Sequence, residues 1–244
     1  MTFTDKVAVV TGGAGRIGRP LCEKLAAAGA AVAVVDIAAD GAGAEAEKIR
    51  LAGGKAQGYG MDVRSAESVR GATERILADF GRVDILVNNA GVWRNRPVEE
   101  MDEEFWCSQI DLNLNGVFRV TRAFLPGMLE RGYGRIVNLG SISGEVGLPH
   151  FAAYSASKAG VIMLTKTLAM EVAKRGVTVN CVSPGMIGDK ADGPIKQTWI
   201  ERRGTGPEVA DLILFLASDA ASFITGVDYT IDGGRILGPR FADV

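Results

Sequence analysis

The chain has 244 residues, 47% of them hydrophobic, enough for one large α/β domain with a sizeable core. Its 27 Lys and Arg stand against 29 Asp and Glu, a net charge of −2, and the charges are scattered, which argues against a nucleic-acid or anionic-membrane surface. His150 is the only histidine, and Cys22, Cys107 and Cys181 are far apart in apolar surroundings, so a zinc centre or a histidine-based triad is argued against and reduced cytosolic thiols are expected.

In chain order, short β-branched runs alternate with longer segments of helical period, the pattern of a parallel sheet covered on both faces. Strands are predicted at Val7–Thr11, Ala31–Asp36, Ala56–Gly60, Ile85–Asn88, Arg135–Leu139, Val177–Val182 and Val227–Ile231. Helices are predicted at Ile17–Ala28, Ala42–Leu51, Ala66–Phe80, Glu103–Glu130, Ala153–Arg175 and Pro207–Ser218. The expected fold is a doubly wound (Rossmann) α/β sheet of seven parallel strands, one domain over 1–244, with a short substrate loop at 186–206. No basic region followed by an apolar stretch opens the chain, and no apolar run of about 18 residues occurs, so a soluble cytoplasmic protein is expected.

The first strand-to-helix turn reads Thr11-Gly12-Gly13-Ala14-Gly15-Arg16-Ile17-Gly18. Glycines there let a backbone approach a pyrophosphate at a helix N-terminus. The spacing from Gly13 to Gly18 also suits a phosphate-binding P-loop, but Arg19-Pro20 stands where Lys and Ser or Thr are needed. Asp36 ends the second strand, where a carboxylate accepts from the adenosine ribose hydroxyls and repels a 2′-phosphate, favouring NAD over NADP. Arg16 opposes that preference, since a guanidinium near the turn could meet such a phosphate.

Tyr154 and Lys158 are four residues apart in a predicted helix, so both side chains leave one face. A phenol is a poor base at neutral pH, but an ammonium at ~4 Å in an effective dielectric of ~20 favours the phenolate by about 4 kcal/mol. Such a pair can transfer protons. A serine-hydrolase reading of Gly140-Ser141-Ile142-Ser143-Gly144 fails on spacing and on the position of His150.

Thr11–Gly18, Asp62-Val63, Asn88-Asn89-Ala90-Gly91, Asn113, Ser141, Tyr154-x3-Lys158 and Pro184-Gly185 together resemble the short-chain dehydrogenase/reductase family, in its compact single-domain branch, from Lys6 to Gly234. The resemblance implies an oxidoreductase in which Tyr154 is the acid/base, Ser141 holds the substrate oxygen, Lys158 holds the nicotinamide ribose and lowers the tyrosine pKa, and Asn113 anchors a proton-relaying water. It implies that Gly12, Gly15, Arg16, Ile17 and Gly18 meet the pyrophosphate, Asp62 and Val63 the adenine, Asn89, Ala90 and Gly91 the cofactor body, and Pro184, Gly185 and Ile187 the nicotinamide. Two departures stand out: Arg16 replaces the middle glycine of the usual turn, and Asp189 replaces a threonine four residues after Gly185.

The expected reaction passes hydride between NAD and a secondary alcohol or ketone, such as a small alcohol, cyclic diol or polyol. The runner-up is an NADP-dependent 3-oxoacyl-thioester reductase, and a reading of another class is a dinucleotide-sensing module without turnover. Trp93, Arg94 and His150 are placed on the substrate side with Ser141. The family also implies a homotetramer, through the two long helices and the C-terminal strand, with the tail after Gly234 reaching a neighbour.

Overall fold

The computed structural model describes residues 1–189 and 195–238. Its main sheet comprises β1 (Val7–Thr11), β2 (Ala31–Asp36), β3 (Lys55–Gly60), β4 (Ile85–Asn88), β5 (Gly134–Leu139), β6 (Val177–Pro184) and a last strand at Asp228–Ile231, in the spatial order β3-β2-β1-β4-β5-β6-last. All neighbouring pairs are parallel, for instance Val9 beside Ala33 and Leu86. β1, β4 and β5 are buried throughout, as continuous apolar strands covered on both faces must be.

Two cores sandwich the sheet. On one face Leu21 and Leu25 of α1 (Gly18–Ala27) and Ala42, Ala46 and Ile49 of α2 (Ala39–Leu51) pack on Val10, Val34 and Val137. On the other, Val69 and Ile76 of α3 (Ala66–Phe80) join residues of two later helices over Val9, Leu86 and Ile136. The reversal of sheet direction after β3 accounts for the change of face, because crossovers of one hand place helices on opposite sides when the winding reverses.

The helix expected over Glu103–Glu130 is broken. It forms as α4 (Glu103–Ile110), one wider i→i+5 turn (Asp111–Asn115) and α5 (Gly116–Arg131). Such a turn inserts a residue into the helical ladder and re-aims its side chains, and here it turns Asn113 into the interior. The sequence period does not change there, which is why the break was not anticipated. A short α6 (Ile142–Glu145) precedes α7 (Ala152–Val172), and the remaining predicted boundaries shift by three residues or fewer.

The chain after β6 makes an unexpected excursion. β7 (Ile187–Gly188) pairs with β8 (Gly204–Thr205), and then α8 (Gly206–Ala217) leads to the last strand, β9 (Asp228–Ile231). α8 winds in the same sheet direction as α5 and α7 yet packs on α1, with Val209, Ile213 and Leu216 in the first core. Its crossover therefore has the opposite hand to theirs, an exception to the usual rule. The start of α8 is held by Thr205, whose N–H donates to Glu208 Oε2 at 2.8 Å, and by Lys24, which pairs with Asp211. This route brings Gly185, Met186, Ile187 and Arg203 beside Ile17 and Asn89 at the C-terminal edge of the sheet, at the switch point between β1 and β4. No helix among the described residues is long and apolar enough to cross a membrane.

Cys22 and Cys181 are buried as expected, and burial pushes both thiols up. Cys107 is exposed instead, because it falls on the outer side of α4.

Candidate active site

Two cavities of about 540 and 610 Å³ meet at the C-terminal edge of the sheet, sharing Arg16, Ile17, Asn89, Gly91, Trp93 and Ile187. This is where a doubly wound sheet opens between oppositely wound halves. The larger carries Gly12, Gly15, Asp36, Asp62, Val63 and Ala90, and the smaller carries Ser141, Tyr154, Lys158, Pro184 and Gly185.

The glycine turn closes tightly on itself. Gly12 has φ +64°, and a Cβ at Gly18 would run into its carbonyl oxygen. Gly13 N–H donates to Val35 O at 2.9 Å and Gly15 N–H to Gly12 O at 3.0 Å. Among the described residues, no protein acceptor takes the backbone N–H of Arg16 or Ile17, which leaves amides for an anion at the N-terminus of α1. Asn89 Nδ2 ties β4 to the turn through Thr11 O and Gly12 O, both at 2.9 Å. The Asp36 carboxylate accepts from Ala14 N and Ala38 N at 3.1 Å each, so it is anchored at the end of β2. Asp62 pairs with Arg64 at 2.8 Å, and that hydrogen-bonded guanidinium holds its carboxyl below the usual range. These residues fit an adenine dinucleotide: a cradle too close for side chains, unpaired amides, and a carboxylate one strand away.

At the other end, β5 delivers Leu139, Gly140 and Ser141. Ser141 Oγ lies 2.7 Å from Ser143 Oγ and accepts from Ser143 N at 3.2 Å, which fixes its rotamer at the entry to α6. Tyr154 and Lys158 leave one face of α7, as their spacing predicted. Lys158 is only 4% exposed, and its Nζ donates to Leu139 O at 2.6 Å. Burial lowers its pKa to about 8. Asn113 Oδ1 accepts from Val92 N at 2.9 Å while its Nδ2 donates to Val92 O at 3.1 Å. A Cβ on Gly91 would lie 2.8 Å from Asn113 Oδ1 and 3.6 Å from Lys158 Nζ, so all three converge on that glycine.

One expectation is reversed. Lys158 was expected to lower the Tyr154 pKa, yet burial raises it, and the only lowering influence is a hydrogen bond with Ser141. The lysine Nζ sits 5.9 Å from the phenol ring centre and is turned to a backbone carbonyl, so in the protein alone desolvation outweighs its charge.

The substrate-side expectations divide. Trp93 reaches both cavities and stacks on Phe151 at 5.0 Å, with Phe151 edge-on to Tyr154 at 6.3 Å. Arg94 lies on the adenosine side. His150 lines neither cavity; its backbone takes φ +68° and its carbonyl accepts from Arg96 N at 2.8 Å. Ile187 lines both cavities, and the two departures from the family turn meet: Arg16 Nε pairs with Asp189 Oδ1 at 2.6 Å, with a further bond to Ile187 O at 3.3 Å. Residues 190–194 of the expected substrate loop and 239–244 of the tail lie outside the described residues.

The sequence places Met186 and Arg203 in the substrate loop without singling either out, and assigns Arg235 to a tail reaching a neighbour; all three line the smaller cavity. They belong to no local motif, and only the path of the chain after β6 and β9 brings them there. Thr11, in the sequence only the start of the glycine turn, accepts through its hydroxyl from Asn89 N and Ala90 N at 3.1 Å each and so joins the two strand ends that open the cleft.

Comparison with known proteins yields three findings. The family model for short chain dehydrogenases matches residues 6–198. Among curated relatives, D-threitol dehydrogenase of Mycolicibacterium smegmatis is 44% identical over 95% of this chain and 93% of its own, and the 3-oxoacyl-[acyl-carrier-protein] reductase FabG of Escherichia coli is 40% identical over 97% and 100%. The crystal structure of gox2181 superposes with a TM-score of 0.93 at 38% identity, covering 97% of this chain and 98% of that one.

Proposed function

The chain belongs to the short-chain dehydrogenase family, and from that premise we propose that it is a single-domain oxidoreductase passing hydride between NAD and the carbon of a small secondary alcohol or ketone. The observation that carries this reading is the convergence of Ser141, Tyr154 and Lys158 in one cavity that runs into the glycine turn. A D-threitol dehydrogenase among the relatives supports an alcohol of the polyol type.

In the oxidation direction Tyr154 Oη takes the substrate hydroxyl proton, and in reduction it returns that proton to the carbonyl oxygen. Ser141 Oγ, oriented by Ser143, holds the same oxygen and fixes the distance to the phenol. The nicotinamide, when bound, supplies the hydride acceptor or donor, and in its oxidised form a positive charge that favours the phenolate. Lys158, with a pKa of about 8, is mostly protonated at neutral pH and adds to that field once its ammonium turns from Leu139 O. Asn113, clamped to both polar atoms of Val92, positions the floor beneath the lysine. Gly12, Gly15, Ile17 and Gly18 would hold the pyrophosphate, Asp36 the adenosine ribose, Asp62 and Val63 the adenine, and Pro184, Gly185 and Ile187 the nicotinamide.

Tyr154→Phe is expected to lower kcat by 10²–10⁴-fold while NADH binding stays within about twofold, read at 340 nm and by fluorescence titration. Near-normal turnover in that variant would remove Tyr154 from the mechanism. A second reading, reduction of a 3-oxoacyl thioester with NADPH, is favoured by the FabG relatives. Initial rates with NAD and NADP separate the two, since a carboxylate at the end of β2 such as that of Asp36 would repel a 2′-phosphate. We also propose a homotetramer. A groove of about 650 Å³ between α5 and α7, lined by Phe118, Leu125, Leu129 and Leu164, leaves apolar surface for a second copy. A monomeric mass in light scattering at micromolar concentration would refute it.

A further inference from the structure

Among the described residues, those around the reacting cavity include four cations, Arg16, Lys158, Arg203 and Arg235, and no carboxylate. Lys158 lies beneath Tyr154, and Arg16 is paired with Asp189. Arg235 is different. It stands on the turn after β9, partly buried, and its guanidinium bonds to the sulfur of Met186 at 2.9 Å, a weak acceptor. The acid in its own loop, Asp232, is spent on backbone amides, accepting from Gly234 N at 2.7 Å and Ile236 N at 2.9 Å. Arg235 forms no ion pair among the described residues.

A partly desolvated guanidinium without a counter-charge costs free energy that a planar oxyanion recovers through paired, charge-assisted hydrogen bonds. Arg203 enters the same cavity from the residue before β8, so the two arginines reach it from separate segments, after β6 and after β9. We infer that the substrate carries an oxyanion, a carboxylate or phosphate, which Arg235 and Arg203 hold while Ser141 and Tyr154 hold the reacting oxygen. The inference rests on the hydride-transfer reading for its reaction, but the anion site itself is a matter of charge and shape. A hydroxy acid, an oxo acid or a phosphorylated alcohol fits this lining better than an uncharged polyol.

The test has a binding arm and a turnover arm. Malonate and inorganic phosphate are titrated calorimetrically into the NADH-loaded wild type, Arg235→Leu, Arg235→Lys and Tyr154→Phe proteins. Wild type and Tyr154→Phe are expected to bind at least one of the two anions, Arg235→Leu at least tenfold more weakly, and Arg235→Lys in between, with the NADH Kd unchanged within about twofold in all. The anion that binds tells carboxylate from phosphate recognition. Failure of both anions to bind wild type, or equal binding by Arg235→Leu, overturns the inference. So does a tenfold loss of NADH affinity in that variant, which would make Arg235 a ligand of the cofactor's own phosphates.

For turnover, matched pairs are compared at 340 nm: 3-hydroxybutyrate with butane-1,3-diol, gluconate with glucitol, and glycerol 3-phosphate with glycerol. The charged member of at least one pair is expected to show kcat/KM tenfold or more above its neutral partner, an advantage lost through KM in Arg235→Leu and partly restored in Arg235→Lys. A neutral member preferred in every active pair overturns the inference. Intact anion binding without turnover of any pair would support the anion site and count against the hydride-transfer reading alone.

Discussion

At the glycine turn the cleft is made of backbone and half-buried carboxylates, whereas around Ser141 and Lys158 it is made of more deeply buried side chains. Around Gly12–Gly18 the geometry is steric: glycines leave room for nothing else, and Asp36 is held by two backbone amides at the surface. Around Ser141, Tyr154 and Lys158 it is electrostatic, because burial penalises the charged forms of both Tyr154 and Lys158. A substitution at the first end changes shape, and one at the second changes which protons are bound. In the proposed reaction the same cleft would hold the dinucleotide with backbone and transfer protons with desolvated side chains.

Four experiments press on that contrast, from the largest expected effect to the smallest. Gly18→Val should bring a Cβ against the Gly12 carbonyl, with a stability loss of about 2–4 kcal/mol and no measurable NADH binding, checked by thermal unfolding and fluorescence. Native-like stability there would show that the turn is not sterically closed.

Lys158→Met tests the buried end. The folded protein holds Lys158 near pKa 8, below its ordinary value of 10.5, so between those pH values the unfolded chain binds the proton and the folded one does not. This group's contribution to stability therefore rises with pH across about 8–10.5, and its full penalty applies below 8. The variant should be more stable than wild type at pH 7, by at most on the order of 3 kcal/mol, with the gap closing as pH approaches 10.5 in urea titrations. A gap that is flat with pH would mean that burial does not set the lysine's charge.

Asp36→Asn removes a charge and one of the two acceptors that hold Ala14 N and Ala38 N, and it should shift the kcat/KM ratio of NAD to NADP about tenfold toward NADP, roughly 1.4 kcal/mol. No shift would show that Arg16, not Asp36, governs the ribose end. The smallest effect is expected where the two ends touch. The Arg16 and Asp189 side chains are 54% and 79% exposed, so a double-mutant cycle through Arg16→Gln and Asp189→Asn should give a coupling of about 0–1 kcal/mol, screened away in high salt. A larger, salt-insensitive coupling would join the two regions into one mechanical unit.

Much of the reacting end was legible because its residues lie in short local patterns. Tyr154 and Lys158 share a helical face by spacing alone, and Ser141 follows a strand whose β-branched run is plain. Arg203 was legible only as part of the substrate loop and Arg235 only as part of the tail, since neither sits in a motif and their approach to the cavity depends on how two segments cross the sheet edge. His150 was misplaced for the converse reason: it is near Ser141 along the chain, but a left-handed backbone at the start of α7 leaves it outside both cavities.

Sequence by itself determined the alternation of strand and helix, the seven-stranded parallel sheet and the turn where a dinucleotide backbone fits, because hydrophobic period and glycine spacing are local properties that survive any packing. Only the tertiary structure decided the face taken by α8, the break before α5 that turns Asn113 inward, the meeting of Arg16 with Asp189, and the direction of the Tyr154 pKa. Each of these depends on contacts with residues distant in the chain, and such contacts, like desolvation, belong to the whole packed neighbourhood rather than to any segment within it.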